Sequence, residues 1–235
     1  MAIEPAASAP ITGISSMATR RVLAELADAY ARKTGQRVTI ESVGGVEAAR
    51  RVRGGEAFDF VVLAASAIES LSADGHVDAD SRVDVARSGV AIAVAAGARR
   101  PDVGTEAAVR DAVRAARGIG TSTGPSGAHL ARLLERWGIA DLVAPRLVQA
   151  PPGVPVGALV ARGEVEIGFQ QVSEMMDLPG IEIVGMLPPG IQEITVFAGA
   201  VCSASAQREA ASALLAYFAS PDASAAKRRH RMEPA

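Results

Sequence analysis

One cysteine, Cys202, stands in a chain of 235 residues. An internal disulfide is excluded, and so is a cysteine cluster of metal-ligand spacing. Its place in a β-like run reads as a small buried apolar residue. Aromatics are scarce as well, at 3% of the chain, so the core must be built from Ala, Val, Leu and Ile. No apolar run approaches the roughly 20 residues of a membrane span, so no membrane insertion is expected. The formal net charge of −2 argues against a nucleic-acid partner. The one basic run, Lys227-Arg228-Arg229-His230-Arg231, reads as a solvated helix terminus. Residues 1–10 carry neither a basic n-region nor an apolar h-region and read as a loose arm. The expectation is a cytoplasmic chain as written, or a periplasmic one if a signal peptide has been removed. No Ser/His/Asp arrangement, phosphate loop or His/Cys metal spacing is present. Gly118-Ile119-Gly120 lacks the rest of a dinucleotide fingerprint, so neither a cofactor nor a metal is expected.

What is there is an alternation of strands and helices. Residues 11–14, 37–42 and 58–63 read as strands. Each leads through small or hydroxylic residues into a helix, and the helices stop at Gly35, Gly54-Gly55 and Asp74-Gly75. Three such units in a row make a parallel α/β sheet, with the loops at the carboxyl ends of the strands. A second α/β series runs through strands at 90–96, 166–169 and 181–184, and a long strand at 194–201 follows. The chain crosses between the two series near 86–89 and again near 191–195, which inserts the second into the first. The expected fold class is α/β with two lobes, residues 1–87 with 192–235 forming one and 88–191 the other.

The reading is organised around residues 118–136. There a short strand ends in Thr121-Ser122-Thr123-Gly124-Pro125-Ser126-Gly127, and a helix begins with Leu130, Leu133, Leu134 and Trp137 on one face. Ser126 stands where an N-cap belongs. The first turn of a helix carries free N–H groups and partial positive charge, so small residues there admit an anion. The device recurs at Ser15-Ser16, at Gly44-Gly45 and at Pro155. Singly, each reads as a cap or turn; jointly, they read as one cleft lined by helix starts from both lobes. Ser122, Ser126 and Gly127 are the expected ligand-binding residues of the fullest of these loops. Arg87, at the first crossing, is either a surface arginine or a bidentate clamp on a carboxylate. Strand alternation points one of Gln170 and Gln171 inward, and Gln171 is taken as the ligand-facing one. Glu174, Glu47 and His129 lie within a turn of these loops and are the candidate proton carriers.

These residues resemble the type 2 periplasmic solute-binding proteins, in the branch similar to molybdate-binding proteins. The resemblance runs from about Ser15 to the end of the chain. It is carried by Ser81-Arg-Val-Asp-Val-Ala-Arg-Ser-Gly-Val, Pro125-Ser-Gly-Ala-His-Leu-Ala-Arg-Leu-Leu-Glu-Arg and Gly163-Glu-Val-Glu-Ile-Gly-Phe-Gln-Gln-Val-Ser-Glu, and by the ending Met232-Glu-Pro-Ala. It implies two α/β lobes joined by a two-strand hinge and closing on a ligand, with an ABC-type transporter as a possible partner. Molybdate binders of this branch hold the oxyanion with two serines, two backbone donors and a tyrosine. The first serine matches Ser15 or Ser16 and the second falls at Gly45. The backbone donors fall at Ser126 and Pro155, and the tyrosine at Gln171. The missing hydroxyl, the proline without an N–H and the lost phenol point away from molybdate.

The leading expectation is a solute-binding protein that closes on a small anion, an organic carboxylate rather than molybdate. The alternative is an isomerase of an unsaturated carboxylic acid, because the branch is similar to an aconitate isomerase built on the same fold. That chemistry needs a base of near-neutral pKa and a site that stabilises enolate-like charge.

Overall fold

A computed structural model describes residues 9–235; the arm read over residues 1–10 lies outside the described residues except for its last two. The first series runs β1 (Ile11–Ser16), α1 (Arg20–Thr34), β2 (Val38–Val43), α2 (Gly45–Arg53), β3 (Phe60–Ala64) and α3 (Ala65–Ala73). The second begins in β4 (Val83–Ala95) and continues through α4 (Glu106–Ala115), β5 (Ile119–Thr121), α5 (Pro125–Arg136) and α6 (Ala140–Val143). It goes on through β6 (Leu147–Gln149), α7 (Val156–Ala161), β7 (Ile167–Gln171), α8 (Val172–Met175) and β8 (Ile181–Met186). The chain closes with β9 (Ile194–Val201), α9 (Arg208–Ala219), α10 (Ser224–Arg229) and β10 (Glu233–Pro234).

The strands follow one hydrogen-bonded path, β2-β1-β3-β9-β4-β7-β5-β6, with β8 and β10 also beside β4. β1 pairs parallel with β2 and β3, and β5 pairs parallel with β6 and β7. The strands β4 and β9 are antiparallel to their neighbours and carry the chain between the two series. β4 is 13 residues long. It pairs with β9 as far as Gly89, opposite Ile194, and with β7 from Val90, opposite Gln171.

Each series has its own apolar packing. Val22, Leu23 and Leu26 of α1 are buried against Phe60, Phe197 and Phe218. Their spacing puts them on one helix face, and each contributes about 1.5–3 kcal/mol as an upper estimate. Gly13 of β1 lies under the Phe60 ring, and a Cβ there would meet the ring at 2.2 Å, so only glycine fits. In the second series Leu130, Leu133 and Leu134 of α5 pack with Ile92, Ile119 and Phe169. Helix α1 ends at Gly35 in the left-handed conformation, φ 76°.

Some expectations are corrected. The basic run is not uniformly solvated: Lys227 is fully buried, and Arg229 and His230 both turn back onto Glu25. Cys202 is buried as expected, and burial pushes its thiol up to about 12. The strand read from residue 90 begins at Val83, so the first crossing lies inside a continuous strand.

Candidate functional site

Helix starts from both series converge on one cavity of about 370 Å³. From the first series come Ser16 at the end of β1, Gly44 and Gly45 at the start of α2, and Ala64 and Ser66 at the start of α3. From the second come Ser122, Gly124, Pro125 and Ser126 at the start of α5, and Pro155 before α7. Helices α2, α3 and α5 are nine, nine and twelve residues long. Their first turns supply N–H donors and the positive ends of helix dipoles. Phe197 and Leu63 supply apolar wall.

The local chemistry of each loop explains its shape. Gly124, not Ser126, is the N-cap residue of α5, and Pro125 takes the first helical position. Ser126 is buried, with its hydroxyl 2.9 Å from that of Ser122. Gly127 lies behind this wall and does not line the cavity: a Cβ there would meet the Ser122 carbonyl oxygen at 1.8 Å. Only glycine fits the tight loop at this position. Ser15 points the other way, with its hydroxyl 2.8 Å from Ser42 Oγ. Of the two serines, it is Ser16 that lines the cavity. Gly45 faces open space; a Cβ there would come no nearer than 3.9 Å to Ser16 Cβ.

Both glutamines at the end of β7 line the cavity, contrary to the expectation that only one would. Gln171 is buried where the two crossing strands meet. Its amide sits against Thr195 Oγ1 at 2.7 Å, and in the orientation that satisfies both ends its nitrogen donates to Ser88 O at 3.1 Å. Gln170 accepts from the Val156 N–H at 2.7 Å and donates to Glu174 Oε2 at 2.7 Å. The first N–H of α7 is therefore already taken, and Pro155 brings no donor of its own.

The three candidate proton carriers separate sharply. Glu174, on the four-residue helix α8, lines the cavity. Burial pushes its carboxyl up to about 7, against the opposing pull of the Gln170 amide. Glu47 is turned away from the cavity and pairs with Arg50, which holds its carboxyl below the usual range. His129 is also outside the cavity, with Nε2 2.7 Å from the Ile191 carbonyl and Nδ1 3.0 Å from Glu193. Arg87 is exposed and absent from the cavity wall; it pairs through its backbone with Val196 and Glu233. Arg53 borders the cavity instead, with its guanidinium held by Asp74 Oδ2 at 3.2 Å and Ser70 Oγ at 2.8 Å. Gly45, Ala49 and Arg53 share the cavity-facing side of α2 at spacings of four, a signal present in the sequence once Gly45 is placed. Among the described residues no group of three or more His, Cys, Asp or Glu could hold a metal. No helix among them is long and apolar enough to cross a membrane.

Two α/β halves joined by antiparallel crossing strands, with helix starts from both facing one cleft, make this a type 2 solute-binding fold of the molybdate-binding-like branch. The chain belongs to the family described as bacterial extracellular solute-binding protein, whose profile matches residues 11–233. It is 38% identical over 229 residues to an aconitate isomerase from Pseudomonas sp., covering 95% of this chain and 87% of that one. The periplasmic molybdate-binding protein of Azotobacter vinelandii superposes with a TM-score of 0.80 at 19% identity, over 94% of this chain and 98% of its own. The binding protein AgtB of A. tumefaciens R10, solved with agropinic acid, gives 0.73 at 15% identity, over 96% and 83%. These two likenesses establish the fold alone.

Proposed function

We propose that the chain is an isomerase that moves a proton along an unsaturated carboxylic acid, with aconitate as the substrate to test first. The observation that carries this reading is the Glu174 carboxyl, in the cavity wall and held near pH 7. A base poised there exchanges protons at neutral pH, where an ordinary glutamate would be spent as the anion. The extensive similarity to an aconitate isomerase supports the same reading.

The chemistry follows from the wall. The ionised Glu174 takes a proton from the methylene next to the double bond, and that C–H bond breaks. The electron pair spreads over the allylic carbons and into the adjoining carboxylate. The helix-start N–H groups, Ser16 and Ser126 meet the enolate-like charge. Among the described residues Glu174 is the one carboxylate in the wall, so it also returns the proton, to the other end of the allylic system. The double bond moves, and atoms and charge balance.

The halves close on the substrate about the two crossings. For that motion we adopt 1–87 with 192–235 as one lobe and 88–191 as the other. Ser16, Gly44, Gly45, Ser122 and Ser126 are the ligand-binding residues of this reading. The volume of the cavity suits an organic acid. Gly45, Pro155 and Gln171 leave molybdate short of donors.

The test is a proton NMR time course with each isomer of aconitate. Signals of the other isomer should grow, and Glu174→Gln should lower the rate by about 10²–10⁴ while thermal shifts by the ligand persist. Tight binding without conversion would favour the second reading, a carrier of organic anions that delivers to an ABC-type transporter. Membership of the solute-binding family is the observation in its favour.

A further inference from the structure

We infer that Gln170 is a positioning residue: it anchors one oxygen of Glu174 to the start of α7 and leaves the other to exchange the proton. The inference rests on the reading of Glu174 as the base. Gln170 is buried, and its amide is committed at both ends. The carbonyl end accepts from the Val156 N–H at 2.7 Å, and the NH₂ end donates to Glu174 Oε2 at 2.7 Å.

This orientation is forced. Turned over, the amide would set NH₂ against the Val156 N–H and its oxygen against a carboxylate, two donor–donor or acceptor–acceptor contacts in a buried place. The Val156 N–H thus selects the rotamer that presents a donor to Glu174. A fixed donor favours the charged carboxylate and opposes the effect of burial. Oε1 carries no hydrogen bond among the described residues, so it is the oxygen left for the reacting proton. Chain geometry supplies the rest. Gln170 is the last residue but one of β7 and Glu174 lies four residues on, after β7 runs directly into α8. Other charges in the neighbourhood are Arg53 across the cavity and the Arg21–Asp177 pair beyond the far end of α8; neither contributes to the raised Glu174 titration.

The test reads Glu174 itself. Carboxyl-selective ¹³C NMR follows its titration in wild type, Gln170→Leu and Gln170→Glu, with circular dichroism to confirm folding. Gln170→Leu removes both bonds at similar volume, and the midpoint should rise by about one pH unit, a tenfold change in proton affinity. Gln170→Glu keeps an acceptor for Val156 and sets a second carboxyl beside the first, so the coupled midpoint should rise at least as far. If Gln170→Leu does not fold, Gln170→Glu alone decides. With aconitate, kcat at neutral pH should fall and the acid limb of its pH profile should move up in parallel, with KM within about twofold. A midpoint unchanged in a folded variant overturns the inference. A shifted midpoint in a protein that never isomerises aconitate would leave Gln170 in its role and remove the isomerase reading.

Discussion

Arg21 of α1 donates through Nη1 to the main-chain oxygen of Met176 at 2.9 Å and reaches the Asp177 carboxylate at 3.1 Å. The two partners lie 155 residues apart in the chain and on opposite sides of the cleft. Met176 directly follows α8, the element that carries Glu174. The contact therefore ties the approach of the halves to the placement of the base.

Arg21→Ala should loosen that approach. The charge-assisted bond to the carbonyl is worth about 1.5–3 kcal/mol before solvent screening reduces it. Small-angle scattering of the ligand-free variant should show a larger radius of gyration than wild type, and kcat/KM should fall severalfold. Identical scattering profiles would show that the bond does not hold the halves.

Glu174→Gln should trade activity for stability in a pH-dependent way. The folded carboxyl titrates near 7 and the unfolded one near 4.5, so the native state holds a proton that the unfolded chain has released. That contribution is present below pH 4.5 and is lost as pH rises to 7. Its full size is up to about 3 kcal/mol, less what water in the cleft mouth recovers. The amide variant should melt a few degrees above wild type at pH 8 and level with it at pH 4. A melting temperature below wild type at pH 8 would contradict the raised titration.

Gly45→Ser should add an anion donor at the start of α2. A Cβ there meets nothing closer than 3.9 Å, so the side chain fits without displacing the wall. One more hydrogen bond to a charged ligand is worth about 1.5–3 kcal/mol, or roughly ten- to a hundredfold in affinity. Titration calorimetry with molybdate should register that gain. No gain would mean that the anion does not sit at this helix start.

Arg87→Ala should change little. The side chain is exposed and lies outside the cavity wall. Affinity for aconitate should stay within about twofold and stability within ~0.5 kcal/mol. A tenfold loss of affinity would restore Arg87 to the site.

That residue shows where reading the sequence stopped. Alternation along β4 would have fixed the direction of Arg87, but a register shift between Asp84 and Ala86 adds one residue, and one extra residue reverses the faces that follow. The major helices and strands were legible because their periodicity and glycine stops are local. The convergence of Ser16, Gly45 and Ser126 was legible because parallel strands deliver their loops to one edge. Glu174 could be proposed but not chosen over Glu47 and His129. Helix α8 is four residues long and shows no period, while the longer α2 and α5 turn Glu47 and His129 away within one turn. Arg53 lies two turns past the head of α2, where a pattern of helix starts carries no signal.

β4 lends a single run of backbone to two cores. Val85 and Ala86 pack with Phe60, whereas Val90 and Ile92 pack with Ile119. Val83–Gly89 pair with β9 and Val90–Ala95 with β7 and β8, so the two sheets are completed by successive portions of one unbroken strand. Calorimetry should accordingly find one melting transition, with van't Hoff and calorimetric enthalpies equal, rather than two. The halves should melt together, because the strand that joins them belongs to both.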